Sequence, residues 1–174
     1  KYSPSPKRKL DWSWEQAEVP SDNDLKKCWV GINTSLPNKL IRNLIEANCL
    51  EKQFGAISTI KAEVVYGMEG KSRIDLLLKP EINNMDKRDI YVEVKNTTWC
   101  EKTLALFPDT VTKRGQKHLM ELISICSSAR AVLIPCISRS DMEIFAPCDL
   151  ADPLYGKLFR EALLKGVEVI PCAF

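Results

Sequence analysis

Histidine is nearly absent from this 174-residue chain, which carries one, and its seven cysteines include no Cys-x-x-Cys pair. A zinc site built on paired thiolates therefore lacks its sequence signature. The odd, scattered set Cys28, Cys49, Cys100, Cys126, Cys136, Cys148 and Cys172 also makes a poor disulfide framework. Free thiols in a reducing intracellular compartment (cytoplasm, nucleoid or an organelle) are expected, several of them serving as small core residues. The lone histidine, His118, reads as a helical, structural residue at or just below the surface rather than as a general base. No apolar run exceeds strand length and no positively charged, leucine-rich leader opens the sequence, so neither a transmembrane helix nor a signal peptide is expected. A large excess of one charge is missing too. At a formal net charge of +2, any nucleic-acid partner must be held by local patches rather than by a globally basic surface. Lys7-Arg8-Lys9, Lys26-Lys27 and Lys113-Arg114 with Lys117 are the candidates, and each also describes an ordinary solvated surface.

With 45% hydrophobic and 28% charged residues, the chain has the composition of a globular domain with one full core and a small appendage. Within it, two acids stand where acids are costly. Asp75 lies in the run Ser72-Arg73-Ile74-Asp75-Leu76-Leu77-Leu78, and Glu93 in Ile90-Tyr91-Val92-Glu93-Val94-Lys95. Strand alternation puts Tyr91, Glu93 and Lys95 on one face and Ile90, Val92 and Val94 on the other. If the two strands lie side by side, Asp75 reaches the Glu93 face. An ionised carboxylate among large aliphatic residues needs a partner or a cation. Two carboxylates and a backbone carbonyl are hard oxygen ligands suited to Mg²⁺, or Mn²⁺, rather than Zn²⁺. The Lys95 ammonium would position an attacking water and counter charge on a phosphate, which makes this pattern a candidate metal site for cutting phosphodiesters. Glu-x-Lys on a strand also describes a solvated face with a weak ion pair.

Residues 1–27 differ from the rest, with Pro4, Pro6 and Pro20, a basic triplet and the strand-like stretch Leu10 to Glu15. Trp12 and Trp14 there share a strand face, which suits packing against the main domain or stacking on bases. The main domain spans residues 28–174. Its first helix starts near Ser35-Leu36-Pro37-Asn38, with Leu40, Ile41, Leu44 and Ile45 at helical spacing. Glu46, one turn after Arg42, is either a surface pair or an extra acid aimed at Asp75 and Glu93. Strands follow near Thr59 to Tyr66, Arg73 to Lys79 and Ile90 to Lys95. A second helix is capped by Asp109 or Thr110, with Val111, Leu119, Leu122, Ile123 and Cys126 facing inward. Lys113, Arg114, Gln116 and Lys117 in its first turns suit a phosphate, or simply solvent. Ala131 to Ile137 reads as a strand buried on both faces, Met142 to Ala146 as a short strand, and Asp152-Pro153 as the start of a third helix closed by Gly166 before a last strand at Val167 to Ile170. The order implies an α/β (α+β) fold with a mixed sheet flanked by helices, antiparallel where the acids lie and parallel beyond.

Asp on one strand, Glu-x-Lys on the next and a helix behind them resemble the PD-(D/E)xK nuclease superfamily with its restriction-endonuclease-like core. Longer runs are more specific: Trp29 to Asn38, Ser72 to Asp75, Tyr91 to Asn96, Ala105 to Asp109 and Arg114 to Leu119, then Arg139-Ser140-Asp141 and Phe145-Ala146-Pro147. They resemble the sugar fermentation stimulation protein family, SfsA, from Trp29 to the end. The resemblance implies a DNA-binding protein in which an N-terminal OB-fold precedes the nuclease-like domain, with only the last OB strand, around Pro6 to Ala17, present in residues 1–27. It implies metal ligands at Asp75 and Glu93, an accessory acid at Glu46, the catalytic lysine at Lys95 and a helix residue near the substrate at Gln116. Two functions are consistent with it: a Mg²⁺-dependent (or Mn²⁺-dependent) phosphodiesterase, and a non-catalytic DNA-binding regulator linked to sugar metabolism. Lys7, Arg8, Lys9, Lys113, Arg114 and Lys117 would hold the DNA. RNA as the polymer and a homodimer stay open, and no membrane partner is expected.

Overall fold

The computed structural model describes the chain except residues 3, 8, 22–26, 68–69 and 71. Its elements run β1 (Gln16–Val19), β2 (Cys28–Gly31), α1 (Leu36–Glu46), α2 (Glu51–Phe54), β3 (Ile57–Tyr66), β4 (Ser72–Pro80), β5 (Ile90–Thr97), β6 (Trp99–Glu101), β7 (Leu104–Phe107), α3 (Lys113–Ile125), β8 (Arg130–Ile137), β9 (Ile144–Pro147), α4 (Pro153–Leu164), β10 (Glu168–Val169) and β11 (Cys172–Ala173).

Six strands form the central mixed sheet, in the order β10-β8-β5-β4-β3, with β11 also on β8. The hairpin pairs β3–β4 and β4–β5 are antiparallel, whereas β5–β8, β8–β10 and β8–β11 are parallel. β8 is apolar along its whole length apart from Arg130 because both of its faces are covered. On one face, Leu76, Leu78, Ile90, Val92 and Val94 pack with Ile41 and Ile45 of α1 and Phe54 of α2. On the other, Leu77, Leu133 and Ala131 pack with Leu119 and Leu122 of α3 and with Tyr155, Leu158 and Phe159 of α4. The result is the helix–sheet–helix sandwich that the element order implies.

Alternation breaks once, at the acid. Leu76 packs in the α1 layer but Ile74 packs in the α3–α4 layer, although the two are two residues apart. The pairing with β3 keeps its register from Ala62↔Leu76 to Val64↔Ile74, with Glu63 and Asp75 between them. Glu63 has φ +55, an unusual left-handed conformation for a side chain of this kind. The hairpin changes faces at this point, and β4 parts from β5 there.

The second helix begins later than the sequence suggests. Thr112 caps it, its hydroxyl accepting from Gly115 N at 3.1 Å while its own N–H goes to Asp152 at 2.9 Å. Val111 is consequently outside the helix and exposed. The inward stripe is Gly115, His118, Leu119 and Leu122. Gly115 sits where α3 meets α4: a Cβ there would lie 2.7 Å from Thr112 Cγ2 and 3.2 Å from Tyr155 Cε2.

The stretch Leu10 to Glu15 is not a strand. The strand starts at Gln16 and pairs antiparallel with β2. This two-stranded sheet is tied to the main body through Gly31 N→Ser138 O at 2.8 Å and Ser21 Oγ→Asp141 Oδ2 at 2.9 Å. Asp141 also accepts a bidentate pair from Arg139, Nε at 2.9 Å and Nη2 at 2.8 Å. Trp12 and Trp14 do not pack into the main domain. Their exposures are 68% and 74%, and Trp29 and Trp99 are each 55% exposed, so all four tryptophans lie at the surface. Trp12 leans on Tyr2, with ring centroids 5.1 Å apart. Among the described residues no helix is long and apolar enough to cross a membrane.

Candidate metal centre

β4 and β5 pair from Leu78↔Ile90 to Leu76↔Val92 and then part. Beyond that point the N–H of Val94 has no strand partner on the β4 side, and the Asp75 side chain takes the place of the missing backbone, Oδ2 accepting from Val94 N at 2.8 Å. Its other oxygen accepts from the Asn38 amide at 2.7 Å. This explains how the sequence tolerates an acid in an aliphatic run. Each oxygen keeps a second lone pair for a further partner. Burial and the charge of Glu93 push the Asp75 carboxyl up to about 6, against the lowering effect of the bonds from Val94 and Asn38 and of Lys95.

Glu93 lies at the centre of the cluster, 2% exposed. Its Oε1 accepts from Lys95 Nζ at 2.6 Å and from His118 Nδ1. Burial raises the Glu93 carboxyl, but the hydrogen bond from His118 and the charge and bond of Lys95 outweigh it and hold the group below its ordinary range. Its Oε2 is buried without a hydrogen-bond partner. The hydroxyls of Tyr66 and Tyr155 are likewise buried and unpartnered; both phenols are pushed up by burial first and by the Glu93 charge next. A buried, ionised carboxylate oxygen with no donor, on the strand next to a second carboxylate whose pKa its charge raises, fits a hard cation.

The sequence-derived site is only partly assembled. Lys95 meets Glu93, and the charges of both act on Asp75. Glu46 does not join them: it ends α1, pairs with Arg42 at 2.8 Å on the exposed side, and lies about 12 Å along the helix axis from Asn38, the α1 residue that does reach Asp75. Among the described residues no group of three or more His, Cys, Asp or Glu side chains is placed to hold a metal, and Asp75 and Glu93 are the two acids left to the candidate site. The Gln116 amide is occupied elsewhere, donating to both oxygens of Asp152 at 2.9 Å, where it braces the starts of α3 and α4. Arg114 and Lys117 line a cleft of about 480 Å³ with Glu63, Ser72, Arg73 and His118. Lys113 is exposed outside that lining. Lys7 and Lys9 are exposed on the N-terminal segment, and Arg8 and Lys26 lie outside the described residues.

Two site residues escaped the sequence reading, Asn38 and His118. His118 is 5% exposed, not a surface residue, and its ring meets Glu93 directly. The signal was present, since His118 falls on the same inward stripe as Leu119 and Leu122. Asn38 carried none beyond its place in the first turn of a helix.

The comparisons with known proteins agree with this architecture. The family model described as "Sugar fermentation stimulation protein RE domain" matches residues 35–174. The chain belongs to the SfsA family. A sugar fermentation stimulation protein homolog of Prochlorococcus marinus (strain NATL2A) is 79% identical over 174 residues, all of this chain and 67% of the relative. Its counterpart in Synechococcus sp. (strain CC9605) is 64% identical over the whole chain and 68% of the relative. Among solved structures, SfsA of Pyrococcus furiosus in complex with Ca²⁺ superposes with a TM-score of 0.75 at 26% identity, covering 91% of this chain and 69% of that one.

Proposed function

We propose that this chain binds DNA and hydrolyses its phosphodiester backbone with Mg²⁺, or Mn²⁺, held by Asp75 and Glu93. The observation that carries the reading is the buried, unpartnered Oε2 of Glu93, whose charge acts on the Asp75 carboxylate of the neighbouring strand. The Ca²⁺ bound to the Pyrococcus SfsA supports it, because Ca²⁺ and Mg²⁺ both seek carboxylate oxygens. A cation bound here would polarise the phosphate and make a water a stronger nucleophile near neutral pH. The chain's own groups do the rest. The Lys95 ammonium, with its side chain 13% exposed beside Glu93, faces the place where charge grows on the phosphate and can hold the attacking water. Arg114, Lys117 and Arg73 line the adjoining cleft and supply cations for the flanking phosphates.

The second reading is a non-catalytic DNA-binding regulator. It draws on the count of two acids, with Glu46 turned away, and on the family's name. Labelled duplex DNA, single-stranded DNA and RNA, each incubated with Mg²⁺, Mn²⁺ or a chelator, separate the two. On the first reading the wild type cuts in a metal-dependent way and Asp75→Ala binds without cutting; retention with no product in any metal supports the regulator. Arg114→Ala and Lys117→Ala should each weaken binding across all DNA sequences and lower the slope of log K against log[salt] by about 1, measured by fluorescence anisotropy.

A further inference from the structure

A carboxylate turns about its last side-chain bond at little cost, so a buried ligand needs something to hold it in one orientation. For Glu93 that hold is one-sided. Both donors converge on Oε1, Lys95 Nζ at 2.6 Å and His118 Nδ1, and none meets Oε2. The two donors are not equivalent. Lys95 carries a rotatable ammonium on a four-carbon stem and has chemical work of its own at the phosphate. His118 is fixed. It stands on the inward stripe of α3 with Leu119 and Leu122, which are 1% and 0% exposed. Its other nitrogen, Nε2, faces Arg114 Nε at 3.4 Å, one helical turn away.

That second contact also settles which ring nitrogen donates. Arginine has donors only, so Nε2 must accept, and the proton belongs on Nδ1, where it bridges to Glu93 Oε1. The 3.1 Å approach of Lys95 Nζ to the same Nδ1 is then a contact between two donors that share one acceptor.

We propose that His118 is a positioning residue for the cation: its Nδ1–H holds Oε1 of Glu93 so that Oε2 is the oxygen presented to the metal, and Arg114 keeps the ring in the orientation and tautomer this requires. The inference rests on the two-carboxylate cation site proposed above. It gives Glu93 a permanent donor, so that Lys95 can leave Oε1 for water or phosphate without releasing the ligand. Outer groups that hold a ligating side chain in this way typically contribute 10- to 100-fold in metal affinity.

Two substitutions test it, because asparagine places an amide close to where Nδ1 was and glutamine close to where Nε2 was. Mn²⁺ is titrated into the full chain and free Mn²⁺ is read by electron paramagnetic resonance, for the wild type, Asp75→Ala, His118→Asn and His118→Gln. The expected result is loss of binding in Asp75→Ala, affinity within about 3-fold of wild type in His118→Asn, and a fall of about 10- to 100-fold in His118→Gln. Equal affinities in the asparagine and glutamine variants, whether both strong or both weak, overturn the positioning role while leaving the cation site standing. A wild type that binds no Mn²⁺ overturns the cation site and this inference together. Because both variants lose the same ring packing, their difference reads the Nδ1 donor and not the fold.

Discussion

Replacing Asp75 with asparagine should abolish divalent-cation binding and, at the same time, stabilise the cation-free protein at neutral pH. The carboxyl is pushed up from 3.8 to about 6, by burial first and by the charge of Glu93 next. A folded-state value above the unfolded one means that the native state binds the proton more tightly, so stability is highest in acid and falls as the pH rises from about 4 to about 6. Above that range the ionised group costs roughly 3 kcal/mol. Asparagine removes the charge yet retains an oxygen for Val94 N, and rotation of the Asn38 amide restores the other bond. Urea melts in the presence of a chelator should show Asp75→Asn more stable than wild type by about 1–3 kcal/mol at pH 7.5, with the difference closing near pH 4. A variant less stable than wild type at pH 7.5 would show that Asp75 is kept for the fold and not for a cation.

Asp141 carries the opposite sign. Its side chain is buried, with two hydrogen bonds from Arg139 and one from Ser21. The Arg139 bonds hold its carboxyl well below the usual carboxylate range. Here the folded-state value lies below the unfolded one, so the stabilisation is fully present above about 4 and is lost as the pH falls through the depressed value. Asp141→Asn strands the guanidinium of Arg139, itself 9% exposed, without its counter-charge. Removing one partner of a buried pair typically costs about 3–5 kcal/mol. Circular dichroism melts at pH 7 should show that loss, and the gap between variant and wild type should narrow as the pH drops below 4. The β1–β2 sheet should loosen with it, because Ser21 reaches the body of the protein through the same carboxylate.

Asp75 stood in the sequence inside an aliphatic run and was read as chemistry, whereas Asp141, in the polar stretch Ser138 to Glu143, entered only through the family resemblance. Periodicity exposed the central strands and the helices because each obeys a simple rule: one buried face, or two. It also put Glu93 and Lys95 on one strand face, with Asp75 within reach only if the two strands lay side by side, as they do. What it missed depends on contacts between distant segments. The parting of β4 from β5 leaves Val94 N–H for Asp75, and no local pattern predicts where two strands separate. Glu46 was read as a surface pair or an extra acid aimed at the site, and it is the surface pair: it bonds Arg42 on the exposed side of α1, while Asn38 in the first turn reaches Asp75. Gln116 was read as a substrate-side residue, yet Asp152, 36 positions later, claims its amide. The small strands β6, β7 and β11 and the short helix α2 are too brief to carry a period.

The surface placement of all four tryptophans decides how this protein can be watched by light. Trp12 and Trp14 are largely solvated in the native state and Trp29 and Trp99 about half so, so emission should sit toward that of free tryptophan and change only modestly on unfolding. The core carries tyrosine and phenylalanine instead, as Tyr66, Tyr155 and Phe159. Indole fluorescence is therefore a poor thermometer for this fold and a sensitive reporter of whatever lands on its surface. A base stacking on Trp12, Trp14, Trp29 or Trp99 would quench a signal that denaturation changes only modestly.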